Sequence, residues 1–309
     1  MMNYNEFENL TSEVSMLEDL LKEIPLENIF DRFSIEKRLK KAKAKLGTTN
    51  PYHVSKKAKL TFRGPHVLGS ESISALFASE ATLLFSDAVA AISAAMSGKL
   101  NYKGKIPQKL SNQLMITGMA TGSFGFEFDL PKPCDTDLYS EPPIVENALE
   151  EISKLFEVSA LGTDEELTEV ISDIHPRAAK TVFNFLKFLQ EQNSLCGFEF
   201  SNKFFRFKDQ EELSRSISRL DSTNIYESKQ PHKGEFQGVL PNSRTFEFKS
   251  FDEDKVIRGK LGFNIEDPDV INREWLHKPI IIQITVTQVG DSQPRYTIDS
   301  LEKIKNLEI

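Results

Sequence analysis

Cysteine is scarce in this chain. Its 309 residues hold two, Cys134 and Cys196, far apart and without C-x-x-C spacing. That argues against a disulfide framework and a zinc knuckle, and fits a reducing cytoplasm. Histidine is nearly as thin. His53, His66, His175, His232 and His277 show no H-E-x-x-H spacing and share no helical face, so no metal site is expected from them. The N-terminus MMNYNEFENL lacks a basic start and an apolar run, and does not read as a signal peptide. Long uncharged hydrophobic runs are also missing. The most apolar window, Ile73 to Met96, carries Glu80 and Asp87, so a buried helix is expected there and no membrane span. No internal repeat and no low-complexity tract is present.

Core material, by contrast, is ample: 39% of residues are hydrophobic and 23 are Phe. The length allows two or three domains. The net charge of −8 conceals a sharp asymmetry. Residues 1–34 set two basic residues against eight acids, net −6. Residues 35–66 set ten basic residues against Glu36 alone, net +9. Residues 135–224 carry −9 and residues 225–309 carry −2.

Hydrophobic spacing divides the chain into four parts. In residues 1–50, Phe7, Leu10, Val14, Leu17, Leu21 and Ile24 alternate in steps of three and four, a heptad seam ending at Pro25. The seam is short, so it pairs either with a second copy or with the next helix, 34–46. That helix puts Ile35, Leu39, Ala42 and Leu46 on one face and lysines elsewhere. Residues 47–51 read as a linker. Residues 51–135 read as a βαββ core: a strand at 58–63, a Gly-rich junction at 64–69, and a long helix N-capped by Ser70 that stops at Gly98. Strands follow at 113–118 and 123–130, with Gly118 and Gly122 bracketing their turn, and Pro131, Pro133, Pro142 and Pro143 mark a linker.

Residues 136–224 read as mainly helical with one short hairpin. Thr163 and Glu166 have capping-box spacing, Pro176 suits a first helical turn, Ser201-Asn202 a turn, and Asp209 with Glu212 a helix start. Residues 225–309 read as strands at 234–240, 244–251 and 255–263, a helix at 268–277, then strands at 279–289 and 295–303. That order fits a small five-stranded barrel, OB-like or SH3-like. The fold class is therefore α+β: N-terminal helices, a βαββ core with one long buried helix, a helical middle segment and a C-terminal barrel.

SIEKRLKKAKAKL, AKLTFRGPHVLGSESI and MITGMATGSFGFEF together resemble a family of bacterial proteins without an assigned activity. Its members share a TFRG…GS segment, a long helix, a TGSFGFE hairpin and a closing small β domain. The matching elements here are Thr61–Gly64, Gly69–Ser70 and Gly122–Glu127, with departures at His66, Glu71 and Ser72. The resemblance covers residues 34–130 and implies a bacterial, cytoplasmic protein. It transfers no catalytic residue. Accessory proteins of this kind occur in phage-defence operons, the process this likeness suggests.

Each candidate chemistry has a plainer alternative. Gly64-x4-Gly69 lies where a phosphate loop would, but Ser70 and Glu71 replace the Lys and Ser/Thr of a Walker A loop. Glu71 would repel phosphate, so a tight turn is the simpler reading. Glu80 and Asp87, seven apart, share a helical face and could hold Mg²⁺ in a hydrolase, or mark the wet edge of a core helix. Glu247-Phe-Lys249 has the E-x-K spacing of a nuclease half-site, but lacks an upstream strand aspartate; Phe246 and Phe248 facing a barrel core explain it more simply. Lys37, Arg38, Lys40, Lys41, Lys43, Lys45, Lys56, Lys57 and Lys59 could track a nucleic-acid backbone, or pair with the acidic N-terminal helix. No nucleophile sits in a recognisable elbow, and no cofactor motif is present. The expectation is a non-enzymatic, self-associating protein that binds protein partners, with nucleic-acid binding as the alternative and metal-dependent hydrolysis as a third reading.

Overall fold

The computed structural model of the protein describes residues 4–25, 28–47, 56–100, 103–110, 112–120, 124–130, 144–252, 255–302 and 304–307. The hairpin turn at Gly122, the prolines 131–143, Cys134, His53, the linker beyond Gly47 and the side chain of Phe7 lie outside the described residues.

Two helices come first, α1 (Tyr4–Glu23) and α2 (Ile29–Gly47). They are followed by β1 (Lys57–Arg63), a two-residue-per-strand hairpin β2 (Val67–Leu68) and β3 (Ser72–Ile73), the long helix α3 (Ala75–Met96), and the pair β4 (Met115–Met119) and β5 (Gly125–Asp129). The middle of the chain supplies α4 (Ile144–Leu161), α5 (Asp164–Asp173), α6 (Pro176–Glu191), β6 (Leu195–Phe200), β7 (Lys203–Arg206) and α7 (Gln210–Leu220). The capping box at Thr163 and Glu166 forms on both sides, Pro176 opens α6, and the Asp209 carboxylate accepts from the backbone N–H groups of Glu211 and Glu212 to cap α7.

Strand β1 stands in the centre of a five-stranded antiparallel sheet of order β4-β5-β1-β6-β7. Its alternation puts Ala58, Leu60 and Phe62 on one face and Lys57, Lys59, Thr61 and Arg63 on the other. The first face packs beneath α3, α4 and α6. There Phe85 of α3 meets Phe128 of β5, Phe185 of α6 and Phe198 of β6, all with ring centroids within 6 Å. One hydrophobic core thus contains residues from both 51–135 and 136–224. The division expected at residue 135 runs through the middle of a single packed unit. Sequence periodicity could not reveal this, because β6 joins β1 across more than 130 intervening residues (Leu60 opposite Phe198).

The start of α3 is a correction. Ser70 does not cap it. Residues 67–73 fold into the β2–β3 hairpin, with Val67 and Ile73 packed against the core, and Ser74 precedes the first helical turn. Burial of those two β-branched side chains outweighs the capping preference of Ser70. Helix α3 is long and apolar enough to cross a membrane by length and composition, but eleven of its residues are buried within this protein core.

The remaining strands close a barrel: β8 (Ile225–Leu240), β9 (Thr245–Ser250), β10 (Val256–Leu261), β11 (Ile280–Val289) and β12 (Arg295–Ile298), with α8 (Val270–Glu274) between β10 and β11 and a short β13 (Lys305–Asn306) beside β11. The closed order β8-β9-β10-β12-β11-β8, with β10 and β12 parallel, is the OB arrangement and separates it from an SH3-like one. Phe236, Phe246 and Phe248 fill its centre, and Glu247 and Lys249 face outward, as the alternation required. Strand β8 begins nine residues before the expected position. Its first half, IYESKQPHK, is polar and contains Pro231, yet pairs along the full length of β11.

The barrel docks on the helical layer through α5. The Thr168 and Ser292 hydroxyls lie 2.6 Å apart in a buried contact, and the Val289 N–H donates to Thr168 Oγ1 at 3.2 Å. Lys260 Nζ meets both carboxylate oxygens of Asp173 at 2.7 Å.

Because Phe85 touches two strands of the sheet and α6 at once, Phe85→Ala should cost about 3–5 kcal/mol in urea unfolding monitored by circular dichroism. Phe204→Ala, on the open face of the sheet, should stay within about 0.5 kcal/mol of the parent. Equal losses at both sites would contradict this placement of the core.

Candidate functional site

The N-terminal seam faces inward onto α2. Leu17 and, on α2, Ala42 are buried, while Leu10, Val14, Leu21, Ile24, Ile35, Leu39 and Leu46 are half-buried. Charge reinforces the pairing: Arg38 Nε lies 2.7 Å from Glu13 Oε1, and Lys43 Nζ 2.6 Å from Glu18 Oε1. Arg32 donates to the carbonyls of Leu21 and Ile24, the exposed C-terminal end of α1. Among the described residues neither helix contributes to either hydrophobic core. Met16 and Phe33, outside the heptad positions, are 65% and 67% exposed. Spacing alone did not mark them, since each falls between seam positions.

The basic block does not form one patch. Lys56 pairs with Glu146, Lys57 Nζ lies 2.9 Å from Glu127 Oε2, and Lys59 Nζ lies 3.0 Å from Glu199 Oε1. With Arg38 and Lys43 of α2 paired to Glu13 and Glu18 of α1, at least five of the nine candidate residues face carboxylates. Lys37, Lys40, Lys41 and Lys45 project from the outer side of α2. Glu13 and Glu18 lie on the acidic N-terminal helix that charge counting offered as a partner, whereas Glu127, Glu146 and Glu199 are distant in sequence and carry no local signal. Glu80 is exposed, and Asp87 pairs with Lys109. The two carboxylates stay on the wet edge of α3, and among the described residues no group of three or more His, Cys, Asp or Glu is placed to hold a metal ion. Glu247 pairs with Arg258 across the barrel strands at 2.8 Å. Burial pushes the Cys196 thiol well above its ordinary range, so it carries no thiolate chemistry.

Among the described residues, two concavities are lined by charged side chains. The larger, about 550 Å³, lies on the outer face of β8, β9, β10 and β12 against α5. Arg258, Lys260, Arg295, Tyr296, Thr245 and Glu247 line it, with Glu169 and Ser172 from α5. Beside it sits Glu151 of α4. One oxygen of this carboxyl is buried without a hydrogen-bond partner. Burial raises its pKa, Lys154 opposes that, Asp173 adds to it, and Lys260 opposes it again. The smaller concavity, about 390 Å³, opens on the outer face of the β1 sheet. It is lined by Thr61, Arg63, Gly64, Gly69, Ser70, Gly197 and Arg206, so the TFRG and GS elements converge there with residues of the β6–β7 hairpin. Contributions from β6 and β7 are long-range and carry no local signal.

Comparison of the chain with family models, with curated proteins and with solved structures gives no match.

Glu151 sets a pH dependence. Its folded pKa lies above the unfolded one, so the folded state binds the extra proton between the two values, and stability falls as pH rises through that window. Glu151→Gln should therefore raise the denaturation midpoint at pH 7, with the gain shrinking as the pH drops below the ordinary carboxylate range. A variant less stable than the parent at pH 7 would contradict this assignment.

Proposed function

We propose that the protein is a non-enzymatic interaction protein that self-associates through α1 and α2 and presents its barrel and open sheet face to other molecules in a bacterial cytoplasm. The observation that carries this reading is the half-buried seam between two helices that belong to neither core. The occupant best suited to complete the seam is a second copy of the same helix pair. Such a copy brings an acidic α1 and a basic α2 together, so opposing arrangement sets acid against base, as Arg38–Glu13 and Lys43–Glu18 already do within one chain. Exposed Met16 and Phe33 supply apolar contacts for that junction.

The test is mass in solution by light scattering. The parent chain should run as a dimer or larger assembly. Met16→Asp with Phe33→Asp, both at exposed positions, should shift it to monomer while the unfolding of the two enclosed cores stays cooperative. A monomeric parent, or an unchanged mass in the variant, rejects the self-association.

A second reading is favoured by one specific observation: the larger concavity lies on the barrel face that OB folds use for oligonucleotides, and it brings together Arg258, Lys260, Arg295 and Tyr296. If it binds single-stranded nucleic acid, fluorescence anisotropy with a labelled oligonucleotide should report affinity that falls steeply with salt. Arg295→Glu should weaken it at least tenfold. Binding that is absent, independent of salt or indifferent to Arg295 excludes this reading.

A further inference from the structure

We propose that the trough on the outer face of the β1 sheet is a binding site for a phosphoryl group, held by Arg63, Arg206, Thr61 and Ser70.

Register builds the trough. Across β5, β1, β6 and β7, one cross-strand row reads Gly125, Thr61, Gly197, Arg206. The next row reads Glu127, Lys59, Glu199, Phe204. In the second row and beside it, Lys57 and Lys59 neutralise Glu127 and Glu199. The first row has no carboxylate. Two of its four members are glycines, so the floor around the Thr61 hydroxyl is bare backbone. At Gly197 a Cβ would stand 2.9 Å from Thr61 Oγ1 and 3.4 Å from Arg206 Nε. The Thr61 hydroxyl, which donates to the Gly197 carbonyl at 3.3 Å, and the Arg206 guanidinium therefore lie close together over the buried backbone of Gly197.

Arg63 closes one end of the trough, anchored by its Nη2–H to the Lys208 carbonyl at 2.6 Å. Arg206 lies over the Phe204 ring at 5.3 Å. Among the described residues neither arginine meets a carboxylate, unlike the lysines of the adjoining row. Gly69 and Ser70 reach the rim from the turn between β2 and β3. Glu71, which in the sequence stands where a phosphate loop carries its hydroxyl residue, belongs to that turn and does not line the trough. The charge objection to anion binding at this junction therefore does not apply. Two guanidinium forks and two hydroxyls in a side-chain-poor concavity are suited to an oxyanion, which guanidinium binds in bidentate fashion. The volume accepts a phosphorylated small molecule.

Isothermal titration calorimetry on the full chain, with inorganic phosphate in one arm and ATP in the other, tests the assignment and distinguishes free phosphate from a phosphorylated ligand. Binding of either is expected. Arg206→Gln and Arg63→Gln, both at exposed positions, should each weaken it at least tenfold with the thermal midpoint retained within a few degrees. Lys249→Gln, an exposed cation on the barrel, should leave it unchanged. Absence of binding in both arms overturns the proposal, as does parental affinity in Arg206→Gln and Arg63→Gln, or an equal loss in Lys249→Gln. None of these outcomes depends on oligomeric state, so failure here is separable from failure of self-association.

Discussion

The pairing of β1 with β5 on one side and β6 on the other is the constraint on which the rest of the structure depends. Leu60 faces Phe126 and Phe198 across those two ladders, and a one-residue slip in either would exchange the apolar and charged faces of β1. The inward set, Ala58, Leu60 and Phe62, is fully buried, so the register is held by the packing of α3, α4 and α6 above it. The same register lines up the outward set. Lysines come beside glutamates in one row and glycines beside Thr61 in the next. Core packing on one face therefore determines the chemistry available on the other.

Local signals were legible wherever the physics is local. The capping box at Thr163, Pro176 at the start of α6, the Asp209 cap, the end of α3 at Gly98 and the alternation through Phe246 and Phe248 all follow from a few adjacent residues. Long-range pairing was not legible. The sequence read residues 51–135 and 136–224 as separate because nothing near Leu60 announces that Phe198 will lie beside it. The first half of β8 was missed for a related reason. Its polar residues and Pro231 look like a loop, but the long apolar β11 supplies a partner for the whole length. At the α3 start, capping preference was outweighed by burial of Val67 and Ile73. The trough residues were half legible: Thr61, Gly64, Gly69 and Ser70 stood out as a motif, while Gly197 and Arg206 did not.

The charge asymmetry of the chain resolves in the same way. A block of +9 between acidic segments suggested a polyanion ligand, yet its members diverge onto two separate elements. Those on β1 meet Glu127 and Glu199 from the sheet, and Lys56 meets Glu146 of α4. Those on α2 meet Glu13 and Glu18. Such pairs are partly exposed and individually weak. Their larger effect is on specificity, because a misplaced strand or helix would set like charges together. Among the described residues, Lys37, Lys40 and Lys41 on the outer side of α2 and the two arginines of the trough face no carboxylate.

Helices α1 and α2 differ physically from everything that follows them. The sheet unit and the barrel each enclose aromatic side chains completely, Phe85 and Phe198 in one and Phe236 and Phe248 in the other. Among the described residues the helix pair encloses only Leu17 and Ala42, a leucine and a methyl group. Two helices of 20 and 19 residues with so little buried between them have weak support from packing, and helices in water rely on packing more than on propensity. Their polar contacts are surface ion pairs, which cannot replace a core. A seam of Leu10, Val14, Leu21, Ile35, Leu39 and Leu46 left half in solvent gains its full burial only when another apolar surface covers it. The stability of this segment is therefore tied to association in a way that the two enclosed cores are not.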